Sequence, residues 1–395
     1  MTILKLLFIT LALVVNVLYY YNVIISLFSL KKPKSPHSYD STTKESFCIL
    51  IPCHNEEDAI QNNLTAISNC SYDKDLFTTY VIADNCTDST VDKVKEFKLS
   101  HSDMNIEILE VKGGTKPKAI NSAISILKEH DIWYTYDNIV FLDSDNKMSP
   151  QMLESFNHYH KQHPILQCRI ASDNHDNIVS KSFASAFANM RYSFQIARNN
   201  IGLSGSLCGT GFSVNREVFD KVGFDNCTTL TEDLEFSVKS IINGYKIKYI
   251  DEQYVLNQNL TETRPSITQR VRWCNGHMQT LVKLTPSLIK AFFKKPSFQL
   301  LDTFIFLSTP AKSIVYIFML ILQFILFFKG AYIKPLIFFI SLLYQVIFCL
   351  YCNDWKISYI IPFIKYGIEM LFIIPYGTIT YKRTTWVKTK HKNIK

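Results

Sequence analysis

The chain has 395 residues, with 42 Lys and Arg against 34 Asp and Glu, for a net charge of +8. Hydrophobic residues make up 47% and charged residues only 19%, and mean hydropathy is +0.05. This excludes a disordered chain and makes a membrane protein the first reading; twelve glycines exclude a collagenous or glycine-repeat one.

From Leu6 to Leu30 no residue is charged. At ~1.5 Å per residue, a helix of that length covers the ~30 Å hydrocarbon core. The run is longer than that of a signal peptide and shows no small-residue cleavage site, so residues 1–34 read as a retained anchor. Lys31, Lys32 and Lys34 outweigh Lys5, and under the positive-inside rule they put the middle of the chain in the cytoplasm.

From about Phe47 to Lys295, strand-like runs alternate with helix-like stretches, the pattern of an α/β domain with a largely parallel sheet. Strands are expected at Phe47–Pro52, Tyr80–Asp84, Ile106–Val111, Ile139–Asp143 and Leu166–Ala171, with helices at Asp58–Asn69, Asp88–Leu99 and Lys118–His130. In such sheets the ligand lies beyond the carboxyl ends of the strands. Three of these ends are polar: Cys53-His54-Asn55-Glu56, Asp84-Asn85 and Asp143-Ser144-Asp145-Asn146. Asp143 and Asp145 can both turn toward a divalent ion, and Mg2+ or Mn2+ suits a site of few carboxylates completed by diphosphate oxygens and water.

Four further stretches carry chemistry. Lys118 in GGTKPKAIN, at a helix start, is placed to pair with a phosphate, although a surface lysine reads the same way. Gly209-Thr210-Gly211-Phe212 lacks the lysine of a P-loop and fits a tight backbone passage beside a substrate channel, or a plain turn. Glu232 and Asp233 open an amphipathic helix; one can act as general base toward an acceptor hydroxyl, or both can simply favour the helix dipole after the N-cap Thr231. On the helix that QRVRW begins, Gln269, Arg272, Trp273 and Gly276 share one face and Arg270 does not. That face either anchors an interfacial helix, about residues 265–297, or lines the crevice.

Apolar sequence returns at 298–381, with candidate spans at Ser313–Phe328, Leu336–Cys352 and Ile357–Thr380. The last is interrupted by Pro362, Lys365, Glu369 and Pro375. The tail, residues 382–395, is basic and reads as cytoplasmic, yet three spans would leave it outside. One apolar stretch is therefore expected to be interfacial or re-entrant, with LLDTFIFLSTP and the broken last segment as the suspects. The cations flanking the membrane blocks outnumber the net charge, so the basic balance reads as topology and no nucleic-acid partner is expected. The ten cysteines show no zinc-like double pair and read as reduced. The sequons at Asn63, Asn69, Asn85, Asn226 and Asn259 read as silent in a cytoplasmic domain.

In their order, PCHNEE, ADNCTD, KPKAIN, DSDN, GTGF, TED and QRVRW resemble the inverting family 2 glycosyltransferases of GT-A fold, the group of the cellulose, chitin, hyaluronan and poly-N-acetylglucosamine synthases. The resemblance covers about residues 47–285. It implies a GT-A domain (35–285) flanked by transmembrane helices, at the plasma membrane, multi-pass, with the catalytic domain cytoplasmic. It also implies donor contacts from Asn55, Glu56, Asp84, Lys118, Asp143 and Arg272, metal binding by Asp143 and Asp145, and Asp233 as catalytic base. Gln269, Trp273, Glu232 and Gly211 would serve the acceptor or product. Trp386 and Thr389 loosely match a Trp/Thr motif that follows the last span of some synthases. KPKAIN departs from the Gly-Lys-Gly form usual there. The short membrane block leaves open whether a homo-oligomer or accessory membrane subunit completes an export channel. The expected reaction is transfer from a UDP-sugar, such as UDP-N-acetylglucosamine, to a growing β-linked polysaccharide. The alternatives are single transfer to a lipid acceptor and, from another class, a transporter or inactive membrane subunit.

Overall fold

A computed structural model describes residues 2–33, 35–36, 38–39, 42–328 and 333–383. Lys34, Trp386, Thr389 and most of the basic tail lie outside the described residues. The chain divides into two compact units. One comprises Pro33–Asp173 and Leu203–Gln258; the other comprises the residues up to Lys32, Asn174–Gly202 and those from Asn259 onward. The stretch 35–285 expected as one domain is thus shared between the two.

The chain opens on α1 (Thr2–Leu27), which belongs to the helical unit. The sheet unit holds β1 (Phe47–Cys53), α2 (Ile60–Ser68), β2 (Phe77–Asp84), α3 (Thr90–Ser100), β3 (Ile106–Val111), α4 (Lys116–Glu129), β4 (Asn138–Phe141), β5 (Lys147–Met148), α5 (Met152–His160) and β6 (Ile165–Ser172). After α6 (Ile178–Met190) and α7 (Ala197–Asn200) of the helical unit, it resumes with β7 (Phe212–Asn215), α8 (Arg216–Val222), α9 (Glu232–Ile242) and β8 (Ile247–Asn257).

The eight strands form one sheet in the order β3-β2-β1-β4-β7-β6-β8-β5. The half containing β3, β2, β1 and β4 is parallel. Beyond it β7 runs antiparallel to both β4 and β6 and β5 antiparallel to β8, while β6 and β8 pair in parallel, so a largely parallel sheet is made mixed by two antiparallel strands. Strand β1 shows why its sequence is an unbroken apolar run. Phe47, Ile49 and Ile51 enter a core shared with α2, α3 and α5, while Cys48 and Leu50 enter a second core, on α4, α8 and α9. A strand covered on both faces has no polar side to alternate with. Each of these fully buried large side chains contributes about 1.5–3 kcal/mol.

Chain reversals at the strand ends explain two asparagines. Asn55 after β1 and Asn85 after β2 have φ of 58° and 52°, a left-handed backbone that Asn tolerates better than other side-chain-bearing residues.

In the helical unit, α6 begins with a capping box, Asn177 and Ser180, and continues through a π-helical turn, Arg191–Ile196, into α7. The rest is α10 (Thr263–Lys294), α11 (Phe298–Leu307), α12 (Thr309–Phe328), α13 (Ile333–Cys352) and α14 (Ile360–Ile379). The suspect LLDTFIFLSTP covers all but the first two residues of α11, which is set at 61° to the start of α12. The segment expected to be broken is one continuous helix despite Pro375. One buried ion pair links two of these helices: Arg198 of α7 makes two bonds of 3.0 Å to Asp302 of α11, and Tyr21 of α1 donates to the same carboxylate at 2.8 Å. Among the described residues one helix, Ile357–Ile379, is long and apolar enough to cross a membrane, or two if the bent pair counts as one span; Asn16–Leu30 and Leu342–Cys352 are apolar but shorter.

Candidate active site

Lys116 is the centre of the site. It opens α4, where Pro117 follows at a position that suits proline because the first helical N–H groups have no partner. Its ammonium lies 2.5 Å from Asp143 Oδ1, 2.8 Å from the Gly209 carbonyl and 3.7 Å from Glu232 Oε1. Burial lowers its pKa, but Asp143, Glu232 and Asp233 together outweigh that and hold it well above the ordinary lysine value. The end of β4, the start of α9 and the 203–211 loop thus meet on one cation.

Lys118, expected at the helix start, lies two residues inside α4. Lys118 is exposed on α4, and Lys116 is the lysine at the carboxylates. The signal was available: proline favours the first helical positions, so Lys116 rather than Lys118 starts the helix.

Asp143 ends the strand run, and its backbone N–H donates to Thr210 Oγ1 at 3.0 Å. The turn after it is held from α2: Asn63 Nδ2 donates to the carbonyls of Asp143 (3.0 Å) and Asn146 (2.6 Å). Asn146, fully buried, in turn donates to Asp145 Oδ1 at 3.0 Å and to Asn257 Oδ1 at 3.1 Å. In sequence Asn63 stands out only as a sequon; at 1% exposure it fastens the Asp143–Asp145 turn. Burial, with Asp143 and Glu56 close by, raises the pKa of Asp145 well above the usual carboxylate range. Crowded carboxylates of this kind suit a cation. Among the described residues no three His, Cys, Asp or Glu side chains are grouped to hold a metal ion, so Asp143 and Asp145 would need ligand oxygens to complete a coordination shell.

Asp233 stands in the first turn of α9. Burial and then the charge of Glu232 raise its pKa, with Lys116 opposing. A methyl group added at Gly209, whose φ is +81°, would sit 3.6 Å from Asp233 Oδ2, so the Gly209 backbone passes directly beside the carboxylate. Thr231 occupies the N-cap position, but its side chain makes no capping bond; the carboxylate of Glu235 instead accepts from the N–H groups of Thr228 and Thr229 at 3.1 and 3.2 Å. Gly211 has a packing reason of its own, because a Cβ there would lie 2.7 Å from Cys168 Sγ.

The remaining candidates of this unit line the first two strand ends. Asn55 Oδ1 accepts from the Thr87 N–H at 2.7 Å. Glu56 caps α2 through its carbonyl, which accepts from Ala59 and Ile60 at 3.0 Å. Asp84 accepts from the N–H groups of Gly113 (2.7 Å) and Gly114 (2.9 Å), and so shapes the loop leading to Lys116.

Gln269, Arg272 and Trp273 belong to the helical unit, on α10. Trp273 packs edge-on against Phe183 and Phe187 of α6, at 6.1 and 6.3 Å between ring centroids. Arg270 lies apart from them, buried and paired with Glu369 of α14, which also pairs with Lys365.

A mixed sheet with carboxylates and a lysine gathered at the strand ends defines a GT-A architecture. The solved mannosyltransferase PcManGT of Pyrobaculum calidifontis, in complex with GDP-Man and Mn2+, matches this fold with a TM-score of 0.61 at 16% identity, over 94% of this chain and 100% of that one. The profile of the family described as Glycosyltransferase like family 2 matches residues 45–276, and the chain belongs to that family. It is 25% identical over 314 residues to the probable glycosyltransferase YdaM of Bacillus subtilis, covering 75% of this chain and 67% of that one. It is 26% identical over 255 residues to the poly-beta-1,6-N-acetyl-D-glucosamine synthase of Staphylococcus epidermidis, covering 62% of this chain and 58% of the synthase.

Proposed function

We propose that this family 2 glycosyltransferase is a membrane-embedded inverting enzyme that transfers a sugar from a nucleotide donor, a UDP-sugar such as UDP-N-acetylglucosamine, to a growing β-linked polysaccharide. The observation that carries this reading is the gathering of Asp143, Glu232 and Asp233 around Lys116 at the strand ends. The similarity to a polysaccharide synthase supports the polymer, and the apolar helices support the membrane.

In this reading Asp143 and Asp145 hold a Mg2+ or Mn2+ ion, which would neutralise charge gathering on the leaving nucleoside diphosphate. Asn55, Glu56 and Asp84 position the nucleotide, and Lys116 meets the diphosphate. Asp233 accepts the proton of the attacking hydroxyl, and its raised affinity for a proton suits that role. Attack on the side opposite the leaving group converts an α-linked donor into a β-linked product. By resemblance, Gln269, Arg272 and Trp273 serve the diphosphate and the acceptor end. The catalytic unit is placed on the cytoplasmic side of the plasma membrane.

Purified protein given a radiolabelled UDP-sugar panel and Mn2+ should release a ladder of polymer. A single lipid-linked sugar would replace the polymer reading with transfer to a lipid. Asp233→Asn should lower kcat by 10²-fold or more, on the order of what general bases contribute, while the donor still binds. A mutant with near wild-type turnover would show that Asp233 is not the base.

A further inference from the structure

We propose that Lys116 is an internal counter-cation that holds the place of the divalent ion, so that the ion is taken up with the donor diphosphate rather than before it. This rests on the reading of Asp143 and Asp145 as metal ligands. The ammonium has three N–H donors, and the structure shows two short contacts, to Asp143 Oδ1 at 2.5 Å and the Gly209 carbonyl at 2.8 Å, with Glu232 Oε1 at 3.7 Å. One of the two carboxylates assigned to the ion is therefore already engaged by a cation of this chain. Its helix is rooted by buried Ala119, Ile120 and Ala123, and Pro117 fixes the first turn. The joints left free are those of the lysine side chain, which can swing while α4 stays in place.

The charges explain the order. With Lys116 on Asp143, the site is a set of carboxylates with one of its negative charges already answered. A divalent ion entering alone must push the ammonium off that carboxylate, and the two cations would then lie side by side. A diphosphate arriving with the ion brings negative charge of its own, which gives the displaced ammonium a new partner. Lys116 thus makes the empty site a poor binder of metal and the donor-loaded site a good one, and the two ligands become coupled with the reciprocity that linkage requires.

The test measures Mn2+ binding by titration with electron paramagnetic resonance on the full-length protein in detergent, with and without UDP. In the wild type, UDP should tighten Mn2+ binding strongly. In Lys116→Met, Mn2+ without UDP should bind about tenfold or more tighter than in the wild type, the scale on which one neighbouring charge moves another site. The gain on adding UDP should largely vanish. Lys116→Gln, which keeps a polar group in the cluster, should behave likewise and guards against a folding defect peculiar to the Met variant. Asp145→Ala should abolish Mn2+ binding in every background. Equal or weaker Mn2+ binding in both Lys116 variants, with Asp145→Ala still abolishing it, would overturn the counter-cation role alone. Mn2+ binding indifferent to Asp145→Ala would overturn the metal reading and this inference with it.

Discussion

His160, on the last turn of α5, is tied at both ring nitrogens: Nδ1 lies 3.1 Å from the His163 carbonyl and Nε2 lies 2.8 Å from the Ser213 hydroxyl, which itself donates to the Ile139 carbonyl at 3.0 Å. Burial disfavours the charged ring and pushes its pKa down to about 3, against the opposing bond to the His163 carbonyl. An unfolded histidine titrates near 6.5. Below that pH the unfolded chain binds a proton that the folded one refuses, so stability is fully present above about pH 6.5 and falls as the pH drops toward the folded value. At pH 5 the loss is roughly 2 kcal/mol. The drop in melting temperature between pH 7 and pH 5 should therefore shrink in His160→Gln, and an unchanged drop would mean the folded ring titrates normally. At this scale the sequence was informative where a residue's neighbours in the chain decide its place. Asp143 and Asp145 stand where an apolar strand run ends, and Asp233 stands at a helix start. Lys116, Asn63 and Asn146 act through contacts with residues distant in sequence, and no local pattern marks an amide that fastens a turn 80 residues away.

Between elements, the pairing of α10 with α14 gives the QRVRW stretch a fixed roll about its helix axis. Arg270, 2% exposed, bonds Glu369 and the Ser266 hydroxyl and lies 4.8 Å from the Tyr366 ring and 5.6 Å from the Phe183 ring. Glu369→Ala leaves that guanidinium buried without its carboxylate, and should cost about 3–5 kcal/mol. Arg270→Met combined with Glu369→Met should restore most of the loss, because the buried guanidinium is gone and the remaining charge, Lys365, is partly exposed to solvent. Thermal unfolding of the single and double variants in detergent checks both; a double variant as unstable as the single would show that the charges themselves are needed. The same helices show which elements a sequence reveals. Strands β1 to β4 and β6 were legible as apolar runs between polar turns. By contrast β5 is two residues and β7 four, while β8 carries Asp251 and Glu252 in its middle. Of these, β5 and β7 make the sheet mixed, and the pairing of all three is set by partners far along the chain rather than by their own composition.

For the whole molecule, the membrane-embedded arrangement proposed above sets charge and helix count against each other. Helices α12, α13 and α14 are each 20 residues, about 30 Å long, and three full crossings after Lys294 and Lys295 would put the tail on the far side. Lys382, Arg383, Lys388, Lys390, Lys392 and Lys395 favour the cytoplasmic side, where in the proposed reading Lys31 and Lys32 would also put the sheet unit. Both demands are met when one helix fails to cross. The segment bent by 61° at Ser308 has the geometry of a broken or re-entrant piece, and α11, at ten residues or about 15 Å, is too short to cross alone. A thiol introduced on the exposed face of α4 by Lys118→Cys and an epitope tag after Lys395 should therefore both be shielded from impermeant reagents in intact cells. Both should become accessible once the membrane is permeabilised. A tag reached from outside while the introduced thiol stays protected would mean that all three long helices cross and that helix length outweighs the flanking charge.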